Sequence, residues 1–91
     1  MEYVIIVYST VNGESSNAMG PYSEEEALLV LQHIHRDFVA ELEDETYRAD
    51  YEGATLDDRN LEKGFFSMRW SESEFVTYTL CKLQKAGGGL V

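Results

Sequence analysis

Between Ser23 and Glu43 lies one run periodic enough for a long amphipathic helix, and β-type patterns flank it on both sides. At about 100° per residue, Leu28, Leu31, His35, Phe38, Val39 and Leu42 converge on one face, with Ala27 and Ile34 beside it. Such a stripe is broad enough to cover a sheet rather than form a narrow coiled-coil seam. Leu29 and Val30 fall outside it and are candidates for exposure or for contact with another element. The start is marked by Gly20-Pro21-Tyr22-Ser23-Glu24-Glu25-Glu26: Ser23 can cap free backbone N–H groups, and Glu26 completes a capping box. Glu24, Glu25 and Glu26 then sit where the helix dipole favours negative charge, so they read as helix-start chemistry rather than metal ligands.

The flanking patterns are strands. Tyr3-Val4-Ile5-Ile6-Val7-Tyr8 is β-branched and aromatic, as expected inside a sheet. Asn12-Gly13 is a hairpin signal, leading into a weak edge strand at about 14–19. Toward the other terminus, Phe66, Met68 and Trp70 alternate with Phe65, Ser67 and Arg69. Past the polar turn Ser71-Glu72-Ser73-Glu74, Val76, Tyr78 and Leu80 face one way and Thr77, Thr79 and Cys81 the other. Thr55-Leu56-Asp57-Asp58 reads as the opening of a short second helix stopped by Gly64. The expected architecture is α+β: a four-stranded, mostly antiparallel sheet in ββαββ order, with one long amphipathic helix packed on one face. A single domain over 1–85 and a mobile glycine-rich tail over 86–91 complete the expectation.

Composition limits function more than it names one. Seventeen acids against seven bases leave a net charge of −10 on 91 residues. That balance disfavours direct contact with nucleic-acid phosphates or anionic lipid heads and favours basic protein surfaces. Aromatics at 12% and hydrophobics at 44% belong to a folded chain rather than a disordered acidic one. A lone cysteine, Cys81, and the absence of a signal-peptide pattern favour a reducing, cytoplasmic setting. The apolar run of the first strand is far shorter than the ~20 residues a membrane span needs.

Chemistry-bearing constellations are sparse. Cys81 reads as a packed strand residue and His35 as a satisfied core histidine. His33 falls on nearly the opposite side of the helix from His35, so the two cannot share a metal; His33 and Asp37 form an ordinary surface pair. Asp58-Arg59-Asn60-Leu61-Glu62 starts like a calcium loop, but Lys63 stands where glycine is required and Arg69 where a glutamate should be. No cofactor, no metal and no enzymatic activity are expected.

The acidic middle is the candidate site. Eight acids lie between Glu41 and Asp58, with Arg48 the single base among them. Glu41, Glu43, Asp44, Glu45, Asp50, Glu52, Asp57 and Asp58 form the expected anionic surface, and Tyr47 and Tyr51 its aromatic anchors. Mimicry of nucleic acid requires more density than this. One helix over 41–58 would span about 27 Å, a length over which duplex DNA carries ~16 phosphates.

The opening third, a β-rich run, a turn and then Gly20-Pro21-Tyr22-Ser23-Glu24-Glu25-Glu26-Ala27, resembles small acidic proteins of bacteriophage and actinobacterial genomes. The resemblance implies a protein that binds and blocks a host protein, and it carries no catalytic residue. The expected function is therefore a non-enzymatic inhibitor or modulator occluding a basic surface of a host protein, a nucleic-acid-binding protein among the candidates. The alternative is an assembly protein, a homo-oligomer joined through the weak strand edge or a patch at Leu29 and Val30, its acids serving solubility alone.

Overall fold

A computed structural model describes residues 2–83. Strands β1 (Tyr3–Ser9) and β2 (Ser15–Tyr22) form the first hairpin, whose turn places Asn12 and Gly13 at φ 59° and 104°. Helix α1 (Glu24–Glu43) and the short α2 (Glu45–Asp50) follow. Strand β3 (Thr55–Asp57), a 3₁₀ turn (Leu61–Lys63), β4 (Phe65–Arg69) and β5 (Phe75–Lys82) complete the described chain. The strands make one sheet in the order β2-β1-β5-β4-β3, with every pairing antiparallel.

The α+β expectation holds, with five strands in place of four. The extra strand is β3, where a second helix was expected. Thr55, Leu56 and Asp57 pair with Arg69, Met68 and Ser67 along the open edge of β4, and Leu56 packs on the core. Three residues are too few to show a period, and the Thr-to-Asp spacing imitates a helix start. Gly64 does act as a stop, but it closes the 3₁₀ turn: at φ 87° it donates its N–H to the Leu61 carbonyl at 2.9 Å. Strand β2 runs through Pro21 to Tyr22, beyond the expected end at Met19. An edge position permits this, because a proline there removes no interior ladder bond. The glycine-rich tail lies outside the described residues.

The capping box forms as read. The Ser23 hydroxyl accepts from the Glu26 N–H at 3.1 Å, and the Glu26 carboxylate accepts from the Ser23 N–H at 3.1 Å. Those bonds hold the Glu26 carboxyl below its usual pKa. The buried side of α1 is rotated from the expected stripe toward Ala27, Val30, Leu31, Ile34 and Phe38. Val30 thus joins the core, while Leu29 stays 61% exposed. Ala27 is fully buried, and its single methyl lets the helix lie close to the sheet.

The core sits between α1 and one sheet face. Ile5, Leu31 and Phe66 are its centre, with Met68 and Val76 buried farther along. Each such side chain contributes roughly 1.5–3 kcal/mol by leaving water. Phe66 stacks on Tyr78 at 4.9 Å between centroids and meets Phe38 and His35 edge-on at 6.1 and 5.4 Å. The alternation read for β4 and β5 matches this core: Phe66, Met68, Val76 and Tyr78 face the helix. Thr77, Thr79 and Cys81 line the opposite face with Val4, Ile6 and Tyr8.

Candidate functional site

The antiparallel order sends the β1–β2 turn, the end of α1 and the β4–β5 turn to one end of the molecule, and α2 is seated there. Asp44 makes the break between the helices. Its N–H closes α1 on the Glu41 carbonyl, while its carboxylate accepts from the N–H groups of Thr46 and Tyr47 at 2.8 and 3.2 Å and so opens α2. A carboxylate is the right cap at that position, since it satisfies two donors that would otherwise lack partners.

One turn of α2 sets Tyr47 and Tyr51 on the same side, four residues apart, with their rings 4.7 Å between centroids. Trp70, on the helix-facing side at the end of β4, packs edge-on against Phe38 and donates its indole N–H to the Tyr47 hydroxyl at 2.6 Å. Burial raises the pKa of the Tyr47 phenol, the Trp70 bond opposes that shift, and the nearby Glu41 carboxylate adds to it. The neighbouring turn is held by Trp70 N–H to Glu74 carbonyl at 2.9 Å and by Glu74 N–H to Ser71 hydroxyl at 3.1 Å. Thr10 anchors the first hairpin to that turn, its hydroxyl donating to the Ser73 carbonyl at 2.7 Å.

Two depressions here share Tyr47 and Asp50 in their linings. The larger, about 430 Å³, is lined by Ala40, Glu41, Asp44, Thr46, Tyr47 and Asp50. The second, about 310 Å³, lies among Val11, Tyr47, Tyr51 and Trp70, with Asp50, Glu52 and Glu74 as its carboxylates. Glu43, the last residue of α1, and Glu45, the first of α2, are exposed and line neither depression.

Asp57 and Asp58 depart from this group. Asp57 receives both guanidinium arms of Arg59, at 2.9 and 2.7 Å, and that bond holds its carboxyl below the usual range. Asp58 meets His35 Nε2 at 2.9 Å. The expected surface over 41–58 therefore divides: acids up to Glu52 surround α2, and the last two are engaged by a base or an imidazole. The span 41–58 is not one helix: α1 stops at Glu43, α2 covers Glu45–Asp50, and β3 follows at Thr55.

Sequence reading placed Tyr47 and Tyr51 in the site but missed Val11, Trp70 and Glu74, which only the tertiary fold brings there. Alternation did put Trp70 on the Phe66 and Met68 side of β4, which was the one available signal. His35 is half-buried rather than enclosed in the core, with Phe66 against its ring and the exposed Asp58 on its nitrogen. Cys81 lies across the sheet from it, opposite Val4. Among the described residues no cluster of three or more His, Cys, Asp or Glu is placed to hold a metal ion, and no helix is long and apolar enough to cross a membrane. In comparisons with protein-family models, curated proteins and solved structures, nothing matches this chain.

Proposed function

We propose that this chain is a non-enzymatic binding protein, a phage-type inhibitor or modulator, whose α2 end occludes a basic surface of another protein. The observation that carries this reading is convergence. Glu41 from α1, Asp44 and Asp50 from the cap and body of α2, Glu52 beyond it and Glu74 from the β4–β5 turn meet around Tyr47, and none of them forms an ion pair among the described residues. Arg69, the last residue of β4, precedes that turn, and its guanidinium is turned to the carbonyls of Ser71 and Glu72 and covers the Phe75 ring. An anionic end whose carboxylates outnumber its nearby bases, Arg48 of α2 and Arg69, steers a cationic partner from a distance, and the aromatic side chains supply contact area on arrival. Basic nucleic-acid-binding proteins fit this description.

Two triple variants with equal charge change test the reading. One is Asp50→Asn, Glu52→Gln and Glu74→Gln at the α2 end. The other is Glu2→Gln, Glu25→Gln and Glu62→Gln at the far end of the sheet. Against a basic decapeptide, the first set should weaken binding about tenfold, as three exposed pairs at ~0.5 kcal/mol each imply. The second set should change it by less than about twofold, and added salt should weaken the wild type. Equal losses from both sets would reduce the effect to bulk charge and remove the assigned surface.

The outer edge of β2, which pairs with no described strand, and the exposed Leu29 favour a second reading, self-association. It requires particle mass to rise with protein concentration independently of salt, which sedimentation measures directly.

A further inference from the structure

Resting on that reading of the α2 end, we infer that the 310 Å³ cleft between α2 and the end of β4 is the seat of one arginine side chain from the basic partner. Its volume stands at the lower limit of ligand pockets, which run about 300–1,000 Å³. It therefore suits a single side chain rather than a nucleotide chain or a large cofactor.

The hydrogen-bonding inventory selects a cation. Asp50, Glu52 and Glu74 offer carboxylate acceptors at the cleft. Three nearby donors are already engaged, the Trp70 indole N–H by the Tyr47 hydroxyl and the Trp70 and Ser71 backbone N–H groups by the Glu74 carbonyl, which leaves the Tyr47 and Tyr51 hydroxyls as the donors of the lining side chains. An anionic ligand would face three carboxylates with only those two hydroxyls to donate to it. A group that brings only donors finds acceptors at each carboxylate.

The aromatic lining separates arginine from lysine. Tyr47, Tyr51 and Trp70 border the cleft, and Tyr51 keeps 49% of its surface open to an incoming group. A planar guanidinium stacks on such rings while its five N–H groups fan out to carboxylates. A lysine ammonium is compact, strongly hydrated and indifferent to planarity, so it uses the acids and gains less from the rings. Tyr51 follows the last residue of α2 and is exposed, so replacing it leaves the core untouched.

Three capped decapeptides, identical except for arginine, lysine or citrulline at their basic positions, provide the test on the full chain. Trp70, the single tryptophan, reports occupancy through its own emission. The arginine peptide should bind about three- to tenfold more tightly than the lysine peptide, a range set by one cation–π contact. It should shift Trp70 emission, and the neutral citrulline peptide should not bind. Tyr51→Leu should bring the arginine-to-lysine ratio close to one while salt-sensitive binding persists, and Tyr51→Phe should keep the preference. Equal affinities with unchanged emission, a preference for lysine, or a preference that survives Tyr51→Leu would overturn the arginine seat and leave the acidic surface standing. Failure of both cationic peptides to bind would remove the acidic surface, and the seat with it.

Discussion

Replacing Gly64 with alanine should be among the most damaging one-atom additions in this chain, and the structure separates its two causes. Gly64 holds φ 87°, where an L-residue costs roughly 1–2 kcal/mol. A Cβ there would also stand 2.7 Å from the Leu80 Cβ and 3.2 Å from its Cδ2. The end of the 3₁₀ turn and β5 cannot separate to relieve the overlap without losing the Leu80 N–H bond to the Gly64 carbonyl at 2.7 Å. Overpacking of that kind typically costs 1–3 kcal/mol, giving a total of about 2–5 kcal/mol. Gly53 is the matched control: its φ is 90°, but a Cβ there meets nothing within 4 Å. Gly53→Ala should therefore cost only the conformational part, about 1–2 kcal/mol. A domain of this length has about 5–14 kcal/mol in all, so the two variants should separate clearly in urea denaturation, read by Trp70 emission and far-ultraviolet dichroism at constant m. Truncating Leu80 to alanine should give little relief, because the nearest clashing atom is its Cβ. If Gly64→Ala proves no worse than Gly53→Ala, the close approach of β5 to the 3₁₀ turn is not a real constraint.

Three further outcomes are expected. Ser23→Ala should cost about 1 kcal/mol by leaving the Glu26 N–H without its acceptor, measured by the urea midpoint. Phe66→Ala should cost about 3–5 kcal/mol, since the ring is fully buried among Tyr78, Phe38 and His35, and the loss should appear in the melting temperature. Glu26 and Asp57 both have folded pKa values below their ordinary ones, because of the Ser23 and Arg59 hydrogen bonds respectively. Their contribution is therefore complete above the ordinary carboxylate range and disappears as pH falls through the depressed folded values. Acid titration of stability should be shallower in Glu26→Gln and Asp57→Asn than in the wild type, and an unchanged slope would contradict the assignment.

Local rules made parts of this fold readable. The capping box depends on Ser23 and Glu26 alone, and the two-residue alternation of 65–70 and 75–81 is set by the pleat, so both could be read without the partner elements. The buried side of α1 was harder. Periodicity found a stripe, but the sheet's shape decided that Ala27 and Val30 face inward while Leu28 lies to the side. Strand β3 was hidden because a three-residue edge strand is stabilised by what it joins, here Met68 and Ser67, and its own sequence looks like a helix cap. The candidate site shows the same division. Tyr47 and Tyr51 share a helical face by spacing, whereas Trp70 reaches Tyr47 across twenty-three residues through sheet topology. The pairing of Asp58 with His35 was likewise a matter of which loop lies over which helix.

The Trp70–Tyr47 bond has a thermodynamic corollary. It joins a strand end to a short helix that has no fully buried residue of its own, so the concavity vanishes when the chain opens. Whatever occupies it grips the native state alone and deepens that state's well by mass action, by about 2.7 kcal/mol at a hundredfold excess over Kd. For so slender a domain, the partner would act partly as scaffolding. A rise in melting temperature would then betray the occupant, whatever its identity.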